Sequence, residues 1–246
     1  MANNSVTASG RINDKKLTRR ERKILKTRNL ILESAKQLFE NNPYEEVRME
    51  DISDRADLSR ATLYNHFDNK ESIYFEIGIN CLRELSNKHE DLMWSGRTGL
   101  KQIMIMSEDL LRTQLEASLM HEITRRYLLM NSQAEIPTHV IISKLESGEI
   151  NINDLDQSSL ILVKYLEEMR NYEKNWEKAI EKGFSDKSIT HKLKPDQLVH
   201  FIFMMISGVI DRFKLEQFAL ARVNLTKELL ISSILDLIQR DLTFST

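Results

Sequence analysis

Residues 47–75 read VRMEDISDRADLSRATLYNHFDNKESIYF, and this stretch decides how the N-terminal part of the chain folds. Its apolar residues recur at the spacing of two short helices that share one small contact while their other faces stay polar. Ser59 stands where its hydroxyl can cap the second helix, and Asn69 stands where its side chain can cap a third helix beginning at Lys70. The pattern predicts a helix-turn-helix. Its expected buried skeleton is Ile52, Ala56, Leu58, Leu63 and Phe67.

The second helix of this motif carries polar side chains suited to reading DNA. An α-helix fits the major groove, where each base pair shows a distinct set of donors, acceptors and methyl groups. The guanidinium of Arg60 can bind guanine O6 and N7, and the Asn65 amide can pair with adenine. Double-stranded DNA is therefore the expected partner. The predicted base-reading residues are Arg60, Ala61, Tyr64 and Asn65.

Positive charge is concentrated at one end of the chain. Residues 11–28 hold nine Lys or Arg against two acidic residues, a local net charge of +7, whereas the 246-residue chain carries −2. Such asymmetry indicates contact with a polyanion confined to the N-terminal end. Because residues 1–21 are polar and lack an apolar period, we expect them to form a mobile basic arm. Both a solvated arm and an arm that orders on DNA are consistent with this composition.

Glycine and proline are scarce, with seven and three residues, which favours an all-α fold. Helical periods are predicted over about 22–41, 70–94, 100–132, 138–146, 158–183, 195–219 and 224–241. Ser95, Gly96 and Gly99 break the pattern and predict a domain boundary. The expected domains are a basic arm (1–21), a helix-turn-helix domain (22–70) with a connecting helix (about 70–94), and a larger helical domain (95–246).

The cellular setting is indicated by cysteine usage and hydropathy. Cys81 is the single cysteine, so no internal disulfide can form and a reducing compartment is expected. The most apolar stretch, residues 199–210, is too short to span a membrane. The basic start is not followed by the apolar run of a secretory leader. We therefore expect a cytoplasmic protein that does not bind membranes.

The head resembles that of the TetR family of bacterial transcriptional regulators. The resemblance covers about residues 24–92 and is strongest in Ser59-x-x-Thr62-Leu63-Tyr64-x-His66-Phe67-x-x-Lys70-Glu71. It implies a homodimer on a near-palindromic operator, a ligand cavity in the larger domain, and repression relieved by a small-molecule effector. It also implies phosphate contacts by Thr62, Tyr64, His66 and Lys70.

Three positions depart from the family pattern. Pro43 replaces the usual glycine after the first helix. Arg48 replaces the Ser or Thr that commonly caps the second helix, so a cap is lost while a phosphate-binding cation is gained. Asp57 stands where the turn usually has a left-handed glycine, a conformation that Asp tolerates better than most residues. None of these changes removes the resemblance.

The resemblance further implies that the C-terminal helices of two copies form a four-helix interface. The expected interface residues are Leu198, Ile202, Met205, Val209, Phe213, Leu229, Leu235 and Ile238. For the effector cavity, methionine and aromatic side chains are candidates because they suit irregular ligand walls. At helical spacing such residues are more often plain core, and both interpretations stay open. The candidates are Trp94, Met106, Tyr127, Met130, Tyr165, Met169, Tyr172 and Trp176.

One stretch of the sequence partly resembles an enzyme and metal-site motif. His121-Glu122 begins like a zinc-protease motif, but Arg125 stands where the second histidine is needed. We therefore expect no enzyme activity, no cofactor and no bound metal. Two alternatives to an effector-released repressor remain. One is a protein-interaction module on the same fold with incidental DNA binding, and the other is a ligand-independent regulator or an activator.

Overall fold

The computed structural model describes residues 18–93, 95–116, 118–216, 220 and 222–243, and this part of the chain contains helices and no strand. The all-α prediction is confirmed. In chain order the helices are α1 (Arg19–Asn41), α2 (Met49–Arg55), α3 (Arg60–Tyr64), α4 (Lys70–Met93), α5 (Gly99–Glu116), α6 (Ser118–Gln133), α7 (Thr138–Ser147), a single 3-10 turn (Ile152–Asp154), α8 (Gln157–Ser185), α9 (Pro195–Leu215) and α10 (Lys227–Thr243).

The first helix begins earlier than the sequence predicts. The Thr18 hydroxyl accepts the amide of Glu21 at 3.2 Å, and the Glu21 carboxylate accepts the amide of Thr18 at 2.7 Å. This reciprocal cap satisfies two amides at the start of α1. Residues 19–21 of the predicted arm are therefore helical, and residues 1–17 lie outside the described part. The stretch predicted as one helical period over 100–132 is two helices, α5 and α6.

The helices α1, α2 and α3 pack together on the first turns of α4 to form the head. The predicted skeleton is confirmed, since Ile52, Ala56, Leu63 and Phe67 are at most 3% exposed and Leu58 is partly buried. Burying each large apolar side chain contributes about 1.5–3 kcal/mol, which is how so small a motif holds its shape. The buried partners from α1 and α4 include Ile31, Ala35, Phe39, Ile73 and Phe75.

The helix α4 belongs to both parts of the molecule. Its first turns complete the head, and the rest packs along α8, the central helix of the larger domain, which also contacts α5, α7 and α9. A Cβ on Gly99 would lie 2.1 Å from the backbone nitrogen of Gly183, so this pair lets α5 start directly against α8. The buried cluster runs without a break from α1 to α10. The predicted boundary near residue 95, between the connecting helix and the larger helical domain, therefore remains a proposal.

The predicted dimer residues fall on different sides of the last two helices. Leu198, Ile202 and Ile238 are at most 1% exposed within one chain, so the prediction is wrong for these three, because they fill the core of their own subunit. Met205, Val209, Phe213 and Leu235 are partly buried against that core, and Leu229 is 51% exposed. The apolar side chains that α9 and α10 expose to solvent are Phe201, Met204, Leu215, Leu229 and Leu237.

Two kinds of feature are absent from the same described ranges. No helix there is long and apolar enough to cross a membrane. Nor do three or more His, Cys, Asp or Glu side chains come together there as a metal site would require.

Candidate DNA-binding surface and ligand cavity

The helix α3 is held by caps and by its apolar side. Ser59 Oγ accepts the amide of Thr62 at 3.1 Å, and Asn69 Oδ1 accepts the amide of Ser72 at 2.8 Å, so both predicted caps are present. Asp57 adopts the predicted left-handed conformation with φ 52°. With Leu63 fully buried, the opposite side of α3 must face outward.

The four predicted base-reading residues lie together on that outward face. Their spacing of i, i+1, i+4 and i+5 places them on one side of a helical turn, and all four are exposed. The side chain of Arg60 is 67% exposed, and Tyr64 is 48% exposed. The face is formed by Arg60, Ala61, Tyr64 and Asn65.

Arg60 pairs with a carboxylate that the spacing of the sequence did not indicate. Its Nη1 lies 3.3 Å from Oε1 of Glu50 on α2. Exposed ion pairs of this kind contribute roughly 0–1 kcal/mol, so a guanine edge can displace the carboxylate. Glu50 therefore holds the guanidinium at the outward side of α3 without enclosing it.

The start of α2 is capped in an unexpected way. The Arg48 side chain cannot accept a hydrogen bond from a backbone amide as Ser or Thr would. Instead, Asp51 Oδ2 accepts a hydrogen bond from the Arg48 amide at 2.8 Å, and the Arg48 guanidinium lies 3.3 Å from Asp51 Oδ1. These hydrogen bonds to the amide and the guanidinium hold the pKa of Asp51 below its ordinary value. The Arg48 side chain stays 74% exposed, and its phosphate contact remains a prediction.

The remaining phosphate candidates divide into two groups. The Thr62 hydroxyl pairs with Ser59 Oγ at 2.8 Å, while Tyr64 is exposed and His66 is half-buried at the end of the motif. For Lys70 the expectation needs correction, because its ammonium donates to the carbonyl oxygens of Tyr44 at 2.5 Å and Val47 at 2.7 Å. Lys70 thus ties the α1–α2 loop to α4 instead of reaching outward.

Arg28 is a second tie within the head that the sequence did not reveal. Its guanidinium pairs with Glu76 on α4, donates to the carbonyl of His66 at 2.8 Å, and lies 4.0 Å from the ring centre of Phe67. A planar fork of donors makes such a three-way contact possible. The only hint of this role in the sequence is that Arg28 is an arginine on the otherwise apolar inner side of α1.

The head contacts the larger domain through Tyr44. The Arg126 guanidinium of α6 lies 3.6 Å from the centre of the Tyr44 ring, and Arg126 Nη1 lies 3.1 Å from Oε1 of Glu45. The Lys70 ammonium lies 4.1 Å from the same ring centre. Two cations therefore contact one aromatic ring where the head meets α6.

A cavity of about 490 Å³ lies on the other side of α6, bounded by α4 to α9. Its volume falls within the range of roughly 300–1,000 Å³ typical of small-molecule sites. The exposed residues at its mouth are Leu128, His139, His200 and Met204. The buried residues at its inner end are Leu82, Leu110, Gln114, Met120, Tyr127 and Tyr172.

The predicted effector residues are brought together only in part. Tyr127, Met169 and Tyr172 line the cavity. Met106, Tyr165 and Trp176 do not, since they are fully buried in the packed core, and Met130 also lies outside the lining. Trp94 lies outside the described residues.

The half-buried wall of the cavity carries two charges of opposite sign. Arg170 and Glu173 lie one turn apart on α8. Burial raises the pKa of Glu173, while His200 and Arg170 act in the opposite direction. Sequence periodicity had indicated neither residue.

Comparison with known proteins assigns the head. The family model described as bacterial regulatory proteins, tetR family, matches residues 31–77. The chain is 33% identical over 70 residues to the HTH-type dhaKLM operon transcriptional activator DhaS of Lactococcus lactis, covering 28% of this chain and 37% of DhaS. It is 35% identical over 65 residues to the biofilm operon icaADBC HTH-type negative transcriptional regulator IcaR of Staphylococcus epidermidis, covering 25% of this chain and 35% of IcaR. The chain thus spans little more than a third of the length of these two relatives.

The likeness to solved structures extends beyond the head. The fatty acid degradation regulator FadR from Bacillus halodurans superposes with a TM-score of 0.60 at 14% identity, covering 87% of this chain and 94% of that chain. At this identity the likeness concerns the fold alone. The head therefore matches the tetR family of bacterial regulatory proteins over residues 31–77, and the fold is shared with a solved structure along most of the chain.

Proposed function

We propose that the protein is a sequence-specific DNA-binding transcriptional regulator, a repressor that a small-molecule effector releases from a near-palindromic operator. The observation that carries this proposal is the outward face of α3, formed by Arg60, Ala61, Tyr64 and Asn65. The face is held by a capped and fully packed head, as a helix that enters the major groove requires. Base reading by these four residues, with Arg60 foremost, is part of the proposal.

The first turns of α1 supply the sequence-independent part of DNA binding. They expose five cations, and contacts with phosphates release counterions from DNA, which makes the affinity depend on salt. Arg48, Tyr64 and His66 are further candidates for phosphate contacts near α3. The exposed cations of α1 are Arg19, Arg20, Arg22, Lys23 and Lys26.

A homodimer would place two α3 helices on successive major grooves. Exposed apolar side chains on adjacent surfaces mark protein contacts, and α9 and α10 carry several of them. We assign the interface to Phe201, Met204 and Leu215 of α9 with Leu229 and Leu237 of α10. This set replaces the residues predicted from the sequence that are buried within one subunit.

Effector release is supported by the two faces of α6. Thr124, Tyr127, Leu128 and Asn131 line the cavity, at the i, i+3, i+4 and i+7 spacing of one helical face. Glu122, Arg125, Arg126 and Leu129 repeat that spacing on the opposite face and line a groove of about 330 Å³ against the head. A ligand that favours one position of α6 therefore favours one position of the head, which shifts the population between DNA-binding and free forms.

Selection of bound fragments from genomic DNA, followed by footprinting across a series of salt concentrations, tests the proposal. We expect one enriched sequence with two protected half-sites about one helical turn apart. Binding without sequence preference that collapses as salt rises would instead support the interaction module with incidental DNA contact. The sign of regulation follows from transcription of the adjacent genes with and without the protein.

A further inference from the structure

Two buried polar groups at the inner end of the cavity have hydrogen-bonding capacity that the described residues leave unused. Gln114 is 7% exposed and Tyr172 is 4% exposed, and both line the cavity. Among the described residues, nothing donates a hydrogen bond to Gln114 Oε1 and nothing accepts one from the Tyr172 hydroxyl; the Trp176 indole N–H lies near the Tyr172 oxygen but can only donate. Buried polar groups are nearly always paired, so these two atoms point to a group brought by a ligand.

The chemistry of the two atoms limits what that group can be. The amide oxygen of Gln114 accepts a hydrogen bond, whereas the Tyr172 hydroxyl can donate one. A ligand hydroxyl can donate to the first and accept from the second through a single oxygen. A carboxylate cannot donate to Gln114, and an ammonium cannot accept from Tyr172.

The charges around the cavity do not favour an ion. No residue at the buried end carries a charge, and burying an unpaired ion there is costly. Arg170 and Glu173 have opposite signs on the same helix, so their fields partly cancel, and His139 and His200 lie at the exposed mouth. The cavity therefore lacks a fixed field of one sign.

Most of the remaining wall is apolar or aromatic, and its neutral polar residues are Thr124, Asn131 and Ser207. Tyr172 stacks on Phe203 with ring centres 6.0 Å apart, and Trp176 packs edge-on against Phe203 at 5.0 Å behind this wall. We infer that the cavity binds an uncharged, mainly apolar molecule whose hydroxyl group is held at the inner end by Gln114 and Tyr172. This inference rests on the proposed function, in which the same cavity holds the effector.

A pair of probes that differ only in a hydroxyl tests the inference. We would titrate the full chain with para-butylphenol and with butylbenzene, without DNA, by isothermal calorimetry. The hydroxyl makes the phenol the more water-soluble molecule, so apolar transfer alone would favour butylbenzene. We expect the phenol to bind at least about tenfold more tightly, because a site built to hydrogen-bond a hydroxyl rejects the analogue that lacks it.

Two variants test the assignment of the residues. Gln114→Leu and Tyr172→Phe each remove one hydrogen-bonding group while keeping most of the side-chain volume. We expect each to reduce the preference for the phenol to about threefold or less. Gln102→Leu is the matched control, since Gln102 is a fully buried glutamine on the same helix that does not line the cavity. It should leave the preference unchanged.

The inference is overturned if neither probe binds, if both bind equally, or if both variants keep the full preference. Tighter binding of para-butylbenzoate or para-butylbenzylammonium than of the phenol also overturns it, in favour of an anionic or a cationic ligand. Because the titration contains no DNA, its result is independent of operator binding. Failure of the genomic selection would contradict the proposed function and leave the ligand result standing.

Discussion

The outward face of α3 and the inner end of the cavity use polar side chains in opposite ways. Arg60 is largely exposed, and its partner in water, Glu50, is easily replaced. Gln114 and Tyr172 are buried, and among the described residues Gln114 Oε1 has no donor and the Tyr172 hydroxyl has no acceptor. A polar change on α3 should therefore alter recognition without altering stability, whereas a polar change at the cavity alters both. The predictions below test this contrast.

The largest effect is expected where the outward face of α3 meets the core of the head. Leu63→Ala removes a fully buried side chain directly beneath that face and should lower the free energy of unfolding by about 2–5 kcal/mol. Urea unfolding measures the change. Ile136→Ala, at a residue 47% exposed, is the control and should stay within about 0.5 kcal/mol. Equal stabilities of the two variants would mean that α3 does not depend on this contact.

The next-largest effect should be on DNA recognition, with the stability of the fold unchanged. Arg60→Ala should cost about 1–3 kcal/mol of operator discrimination per half-site, because a bidentate base contact is lost. The urea midpoint should not move, since the side chain is 67% exposed. Competition gel shifts between operator and random DNA give the discrimination. Arg97→Ala, an exposed arginine far from α3 in sequence, is the control, and an unchanged footprint for Arg60→Ala would refute its role as base reader.

The free energy of unfolding should depend on pH because His89 is buried. Burial lowers the pKa of His89 below its ordinary value of 6.5, and the nearby Asp109 carboxylate only partly opposes this. The unfolded chain then binds the proton more readily, so the stability from neutral His89 is present above pH 6.5 and lost as pH falls below it.

His89→Phe should flatten this pH dependence. One such group contributes at most about 1.4 kcal/mol per pH unit, and the variant keeps the ring contact with Tyr172. Unfolding free energies measured between about pH 7.5 and pH 6 test the slope. A residual slope is expected from His121, whose pKa burial also lowers. A slope identical to that of the unaltered chain would contradict the assignment.

A smaller effect should appear where the two regions are joined. Arg126→Met keeps the stem over Tyr44 but removes the charge, and should weaken the ability of a cavity ligand to change DNA affinity by about 1 kcal/mol. Ligand affinity without DNA should hardly change. Arg125→Met, on the same face of α6, is the matched control. If both variants respond to ligand like the unaltered chain, coupling does not run through Tyr44.

The smallest effect should appear at Glu50. Glu50→Gln removes the carboxylate that holds Arg60, and should tighten operator binding by less than about 1 kcal/mol. The gain should shrink as salt rises, because the lost repulsion from phosphates is screened. Weaker binding in the variant would indicate that Glu50 itself contacts a base.

Local signals account for what the sequence predicts well. The caps at Ser59 and Asn69, the turn at Asp57 and the skeleton around Leu63 depend on residues a few positions apart, and all are confirmed. The roles of Arg28 and Lys70 depend on partners up to 48 residues away, which spacing cannot indicate.

The lining of the cavity and the burial pattern of α9 escaped prediction for a related reason. Periodicity separates a buried face from an exposed one, but it does not tell which buried residues border a cavity that six helices enclose. Met106 and Tyr172 both lie at the helical spacing of a buried face, yet of the two only Tyr172 lines the cavity. On α9, apolar residues occur on both sides, so spacing does not distinguish Leu198 in the core from Met204 at the surface.

The aromatic wall behind the cavity provides an intrinsic optical signal. The indole of Trp176 touches Phe203 and lies close to Tyr172, and both of these rings line the cavity. The chain has only one other tryptophan, Trp94, so a Trp94→Phe protein would fluoresce from this position alone. Its emission would then report occupancy of the cavity in real time, without any attached dye.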